Sequence, residues 1–246
     1  MKLFGLLATL ILLLVLPERA FAWGPLTHLY LGNEIFNFSA LIPASLFELL
    51  LRYRDDFLYG NLMADIIFGK RYLIEHKNPH SWDVAFELMD SVSDDQQRAF
   101  VYGYMSHLAA DTVAHEQFSN TYMKAHSILE LNSESMVGKR YWIMAISLDR
   151  RLKNRHDHLL KSTLESPLFS YKTNKKLFKG MILLSLFTPK RMNRIIDRSI
   201  ILSPYLHSRQ IKRLHRKSLD RIVDLLAKGE CSRVLGKSAI YCPKKR

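Results

Sequence analysis

Apolar positions recur along the chain at three- and four-residue spacing, the mark of helices that bury one face, while strict alternation of the kind strands need is scarce. The pattern predicts a helix from Thr27 to about Phe38, with Thr27 as its cap, and a second from Ile42 to Arg54 opening near Pro43. The run His76-Lys77-Asn78-Pro79-His80-Ser81-Trp82-Asp83 reads as a loop entering a helix, with Ser81 or His80 at the cap. Asp94 and Asp95 then cap a helix that carries Gly103 to His115. Further periodic stretches run from Tyr141 to His158, Asn174 to Phe187, Arg191 to Ile201 and Ser208 to Lys228. There is no internal repeat, no glycine-rich phosphate loop and no Gly-x-Ser-x-Gly elbow, and the chain is read as all-α.

One apolar stretch does not fit this pattern. Lys2 precedes an apolar run from Leu3 to Leu16, and Pro17 to Ala22 ends in Ala20-Phe21-Ala22, the layout of an export signal cut after Ala22. The run is shorter than the roughly 20 residues a membrane span needs. Export to the periplasm or medium is therefore expected, with residues 1–22 removed. The cut would make Trp23 the first residue and free its α-amine, a group of ordinary pKa about 7.7–8.0 that can bind a metal.

Residues 23–246 suit one helical domain, and a hydrophobic content of 48% over the whole 246-residue chain suffices for its core. Charge divides it. Residues 23–138 carry 7 Lys and Arg against 15 Asp and Glu, whereas residues 139–246 carry 27 against 7, within a formal net charge of +13. The first half is suited to hold cations and the second to meet anions such as lipid headgroups or a polynucleotide backbone. Cys231 and Cys242 are the only cysteines, and in an exported protein a bridge between them is expected.

The candidate chemistry starts on the central helix. His107, Asp111 and His115 stand at i, i+4 and i+8 and form one stripe. The outer two are roughly 12 Å apart along the axis, too far to share one ion, so a stripe that bound metal would serve at least two ions with Asp111 placed to bridge. The same stripe on a surface helix would be a coincidence of register. His126 and Glu130 repeat the i, i+4 spacing, Glu134 continues their face, and alone they equally describe an exposed polar pair. His28 falls within a few residues of Trp23, and Asp65 is a lone acid among apolar residues. His156, His158, His207 and His215 are given no chemical role.

Taken in order, Trp23, His28, Asp65, His80, His107, Asp111, His115, His126 and Glu130 resemble the nine ligands of the zinc-dependent phospholipase C family, relatives of the S1/P1 nucleases. The resemblance implies a cluster of three zinc ions. Trp23 and His28 would hold one together with Asp111; Asp65, His80, His107 and Asp111 a second; His115, His126 and Glu130 the third. It also implies hydrolysis of phospholipid phosphodiester bonds by zinc-activated water, with Asp65 orienting or deprotonating that water. The four-residue step from Asp111 to His115 is similar to the catalytic domain of glycosylphosphatidylinositol-specific phospholipase D, and Leu26 stands where choline-selective members have an acid. Two alternatives remain open: a nuclease using the basic half along nucleic acid, and an exported protein that zinc merely staples. Glu130, where the nucleases have Asp, leans toward the lipid branch.

Overall fold

The computed structural model describes residues 23–118, 133, 136–152, 154–185 and 208–240. Among them nine α-helices form and no strand. The expected leader, His126, Glu130, Glu134, the Arg191–Ile201 helix, His207 and Cys242 lie outside the described residues. Cys231 is exposed. No helix among the described residues is long and apolar enough to cross a membrane.

Helix α1 spans Pro25–Glu34, and proline in its first turn starts it two residues earlier than the sequence pattern predicts. Thr27 is therefore not the cap; Gly24 is, and the Thr27 side chain turns inward to Ser133 Oγ at 2.9 Å. The helix also stops before Phe38, tightening into a 3-10 turn over Ile35–Leu41 that breaks at Phe38. Helix α2, Ala44–Arg52, follows Pro43 as expected. Helix α3, Arg54–Met63, escaped the periodicity because Asp56 to Met63 are all buried, so no polar face marks it.

Helix α4, Trp82–Asp90, is capped by Ser81, whose hydroxyl accepts from Asp83 N. Helix α5, Asp95–Phe118, runs through the middle of the fold, with residues 103–115 buried without interruption. It meets α3 backbone to backbone. A Cβ added to Gly60 would lie 1.9 Å from Phe100 O, and one added to Gly103 would lie 1.9 Å from Phe57 O. Only glycine at both positions permits this crossing, which brings α3 carbonyls within reach of α5 side chains.

The expected helix Tyr141–His158 is two helices, α6 (Lys139–Leu152) and α7 (Asp157–Thr163). The turn between them is anchored from inside: His156 Nε2 meets Asp56 Oδ1 at 2.7 Å, the His156 ring stacks on Phe100, and Arg155 pairs with both Asp56 oxygens. Helix α8 spans Tyr171–Ser185 and α9 spans Ser208–Lys228. The buried face of α9 carries Ile211, Leu214, Ile222 and Leu225, and its outward face exposes Arg209, Lys212, Arg213, Arg216 and Lys217. Arg221 is the inward exception, donating to Thr112 Oγ1 at 2.7 Å and pairing with Glu116, which ties α9 to α5.

Candidate metal centre

Five elements converge on Asp111, and each is brought there by local structure. Helix α5 supplies His107 and Asp111 one turn apart. Helix α1 supplies His28 from its first turn, and Trp23 sits just before its extended N-cap residue, Gly24. Asp65 follows the end of α3, and His80 ends the loop into α4.

The carboxylate of Asp111 divides its two oxygens between two groups. Oδ1 lies 3.0 Å from His28 Nε2 and accepts from the Trp23 main-chain nitrogen at 3.3 Å. Oδ2 lies 3.2 Å from His80 Nε2 and 3.2 Å from His107 Nε2. Asp65 completes the second group, with Oδ1 3.2 Å from His80 Nε2 and Oδ2 3.8 Å from His107 Nε2. Two sets of ligand atoms are each compact enough for one cation: His28, His107 and Asp111, and Asp65, His80 and His107. His107 belongs to both, and the His28 and His107 rings stack 3.5 Å apart.

The donor set fits a metal on an observation independent of spacing. His28, His107 and Asp111 have no solvent exposure, yet His28 Nε2 and Asp111 Oδ2, for all their close neighbours, make no well-aligned hydrogen bond. Buried polar atoms ordinarily find a partner, and imidazole nitrogens and carboxylate oxygens converging at this range suit zinc. A ligating histidine also needs its other nitrogen fixed, and His107 Nδ1 lies 2.9 Å from Asn61 O, a carbonyl that the glycine crossing presses toward it.

Electrostatics follow the same arrangement. Burial works to raise Asp111, but the imidazoles of His28 and His107 outweigh it and hold the carboxyl well below its ordinary range. Burial likewise opposes ionisation of Asp65, and the Lys70 ammonium with His107 and His80 overcomes it. The stacked histidines split: burial and the charge of His107 lower His28, whereas Asp111 and Asp65 outweigh burial to raise His107.

The structure thus brings together Trp23, His28, Asp65, His80, His107 and Asp111. His115 is buried one turn further along α5 and belongs to neither compact set. Its expected companions, His126 and Glu130, lie outside the described residues.

Sequence reasoning missed Lys70. Gly69 takes a left-handed turn (φ 82°), and the next side chain folds in, placing Nζ 2.9 Å from Asp65 Oδ1 and 3.2 Å from His80 Nε2. A lysine this buried is paired almost without exception, and the available signal was its place beside Ile66-Ile67-Phe68, five residues after the lone acid. His215 was also passed over. It is buried, its ring edge faces Trp23, and burial followed by the nearby His28 pushes it down to about 4.

A family model described as zinc dependent phospholipase C matches residues 27–176, more than half of the 246-residue chain. No curated protein and no solved structure matches. The chain belongs to the zinc-dependent phospholipase C family.

Proposed function

We propose that this family member is an exported phosphodiesterase that hydrolyses phospholipid phosphodiester bonds. The observation that carries the reading is the pair of adjoining ligand sets that share His107 and receive one oxygen each from Asp111. Trp23 through its freed amine, His28 and Asp111 would hold one zinc; Asp65, His80, His107 and Asp111 a second; His115, His126 and Glu130 a third. Bound there, zinc supplies Lewis acidity toward a phosphoryl oxygen and a water acidified toward neutrality.

The chain's own groups do the rest. Asp65 is the most exposed member of the centre, with 16% of its side chain accessible, so it is the carboxylate that reaches a water arriving from outside and takes its proton. Lys70 holds Asp65 ionised and presents a fixed positive charge where negative charge grows on the phosphoryl oxygens. An accessible Asp65 also favours an open, catalytic site over a zinc staple, whose ligand sphere would be closed.

The rim favours lipid over nucleic acid. The loop from Lys70 to His80 joins two members of the centre, and it exposes Tyr72 (58%) and Ile74 (62%). Leu168, also exposed, packs against Gly69 at the same edge. Apolar side chains beside a phosphate-directed site suit an acyl-chain interface, and the basic outward face of α9 suits anionic headgroups. Purified zinc-loaded protein is expected to hydrolyse phospholipid vesicles and a chromogenic phosphodiester and to leave single-stranded nucleic acid intact. Asp65→Asn should lower the rate about 10²- to 10⁴-fold. Cleavage of nucleic acid with inert vesicles would establish the nuclease alternative, and inertness on all three substrates with zinc bound would establish the staple.

A further inference from the structure

Both the first residue of the expected mature chain and helix α9 lie outside the span that matches the family, and the structure docks them against each other. The Trp23 indole is 1% exposed, and its Nε1 donates to Ser218 Oγ on α9 at 3.0 Å. Ser218 in turn donates to Ala110 O, the residue before Asp111, at 3.4 Å. The circuit closes because the main-chain nitrogen of Trp23 faces Asp111 Oδ1. One helical turn before Ser218, the His215 ring meets the same indole edge-on at 5.1 Å. His215 Nε2 lies 2.7 Å from Ser133 Oγ, which contacts Thr27. The inner face of α9 therefore grips residues 23–27 at two points.

We infer that α9 is a positioning element of the metal centre, in which Ser218 holds the Trp23 indole so that the adjoining nitrogen is presented to Asp111 and His28. A terminal amine is a poor ligand on its own, because the first residues of a chain are disordered unless tied down and ordering them on binding costs affinity. The buried indole meets that cost in advance. Ser218 touches neither metal nor substrate, and its effect passes through Trp23. The inference rests on the zinc reading above and on Trp23 as the first residue.

The test compares mature protein beginning at Trp23 with Ser218→Ala, Trp23→Phe, the double variant, and wild type extended by Ala22. Zinc equivalents and affinities are measured by competition with a chromogenic chelator, and thermal unfolding is followed in chelator. Ser218→Ala is expected to weaken one equivalent about three- to tenfold, the loss of one hydrogen bond. Trp23→Phe, which keeps the amine and the ring but loses the indole N–H, should match it, and the double variant should lose no more than either. A merely structural serine would lower the unfolding temperature in chelator and leave zinc affinity alone. If the Ala22-extended chain loses an equivalent while both single variants bind as wild type, the role of α9 is refuted and the amine stays a ligand. If the extended and mature chains bind zinc alike, the amine is not a ligand, and that part of the zinc reading falls with the inference.

Discussion

Two buried carboxylate–histidine groups stand among the described residues, and they differ in what their lone pairs meet. At Asp56, both oxygens accept from Arg155 and one meets His156 Nε2 at 2.7 Å, so a charged donor satisfies the acid. At Asp111, three imidazoles from three elements approach within 3.2 Å, and Oδ2 has no well-aligned hydrogen bond. Burial and residue type are alike in the two places. What separates Asp111 from the structural pair is the convergence of imidazoles on both its oxygens with no arginine or lysine bonded to it, Lys70 pairing instead with the neighbouring Asp65 and His80.

The sharpest way to break that comparison is to remove the charge from each acid. Asp111→Asn is expected to lose both adjoining ions and lower hydrolysis by at least about 10³-fold, read by metal analysis of dialysed protein and by initial rates. Asp56→Asn should keep full zinc and activity while losing about 2 kcal/mol of stability, measured by denaturant unfolding. Equal zinc loss in both variants would erase the distinction.

The glycine crossing gives the next largest effect. Gly60→Ala forces a methyl against the Phe100 carbonyl and should cost about 1–3 kcal/mol. Because Asn61 O sets the His107 ring, the same change should weaken zinc about 10- to 100-fold, seen in chelator competition. Retained affinity would mean that His107 is oriented without α3.

Stripping zinc with chelator is expected to lower the unfolding temperature of wild type and of Asp56→Asn alike, and to lower that of Asp111→Asn by much less, since at most the third ion is left to remove. The smallest effect belongs to the rim. Tyr72→Ala with Ile74→Ala should slow hydrolysis of vesicles about three- to tenfold and leave a short soluble phosphodiester unaffected, since only interfacial burial is lost. Equal slowing on both substrates would place these side chains in catalysis and not in docking.

What the sequence revealed and hid follows from the range of each contact. The His107–Asp111 step was legible because helical geometry fixes it locally, and the all-helical class was legible from periodicity. Helix α3 was not, since burial of Asp56 to Met63 on every side erases the polar stripe. His80 and Asp65 are joined to α5 only through the fold, and their resemblance to known ligands, not spacing, pointed to them. Asn61 and Ser218 gave no such signal, because each acts on the centre through a carbonyl or a hydroxyl that any surface residue of the same type also carries, and Lys70 gave only its place in an apolar run after the lone acid. His156 and His215 were given the same bland reading, and only the structure separates one beside an arginine-held acid from one beside Trp23.

The central position of α5 has a kinetic consequence. Of the two ligand sets, the one built on His28 is sealed from solvent, whereas the one built on Asp65 and His80 opens outward. Traffic of ions into the sealed set must pass through the outer one or await a local opening of the helices, so the two compartments exchange on separate clocks. A radioactive zinc chase should then resolve into a fast phase and a slow one, with the slow phase belonging to the partners of Trp23.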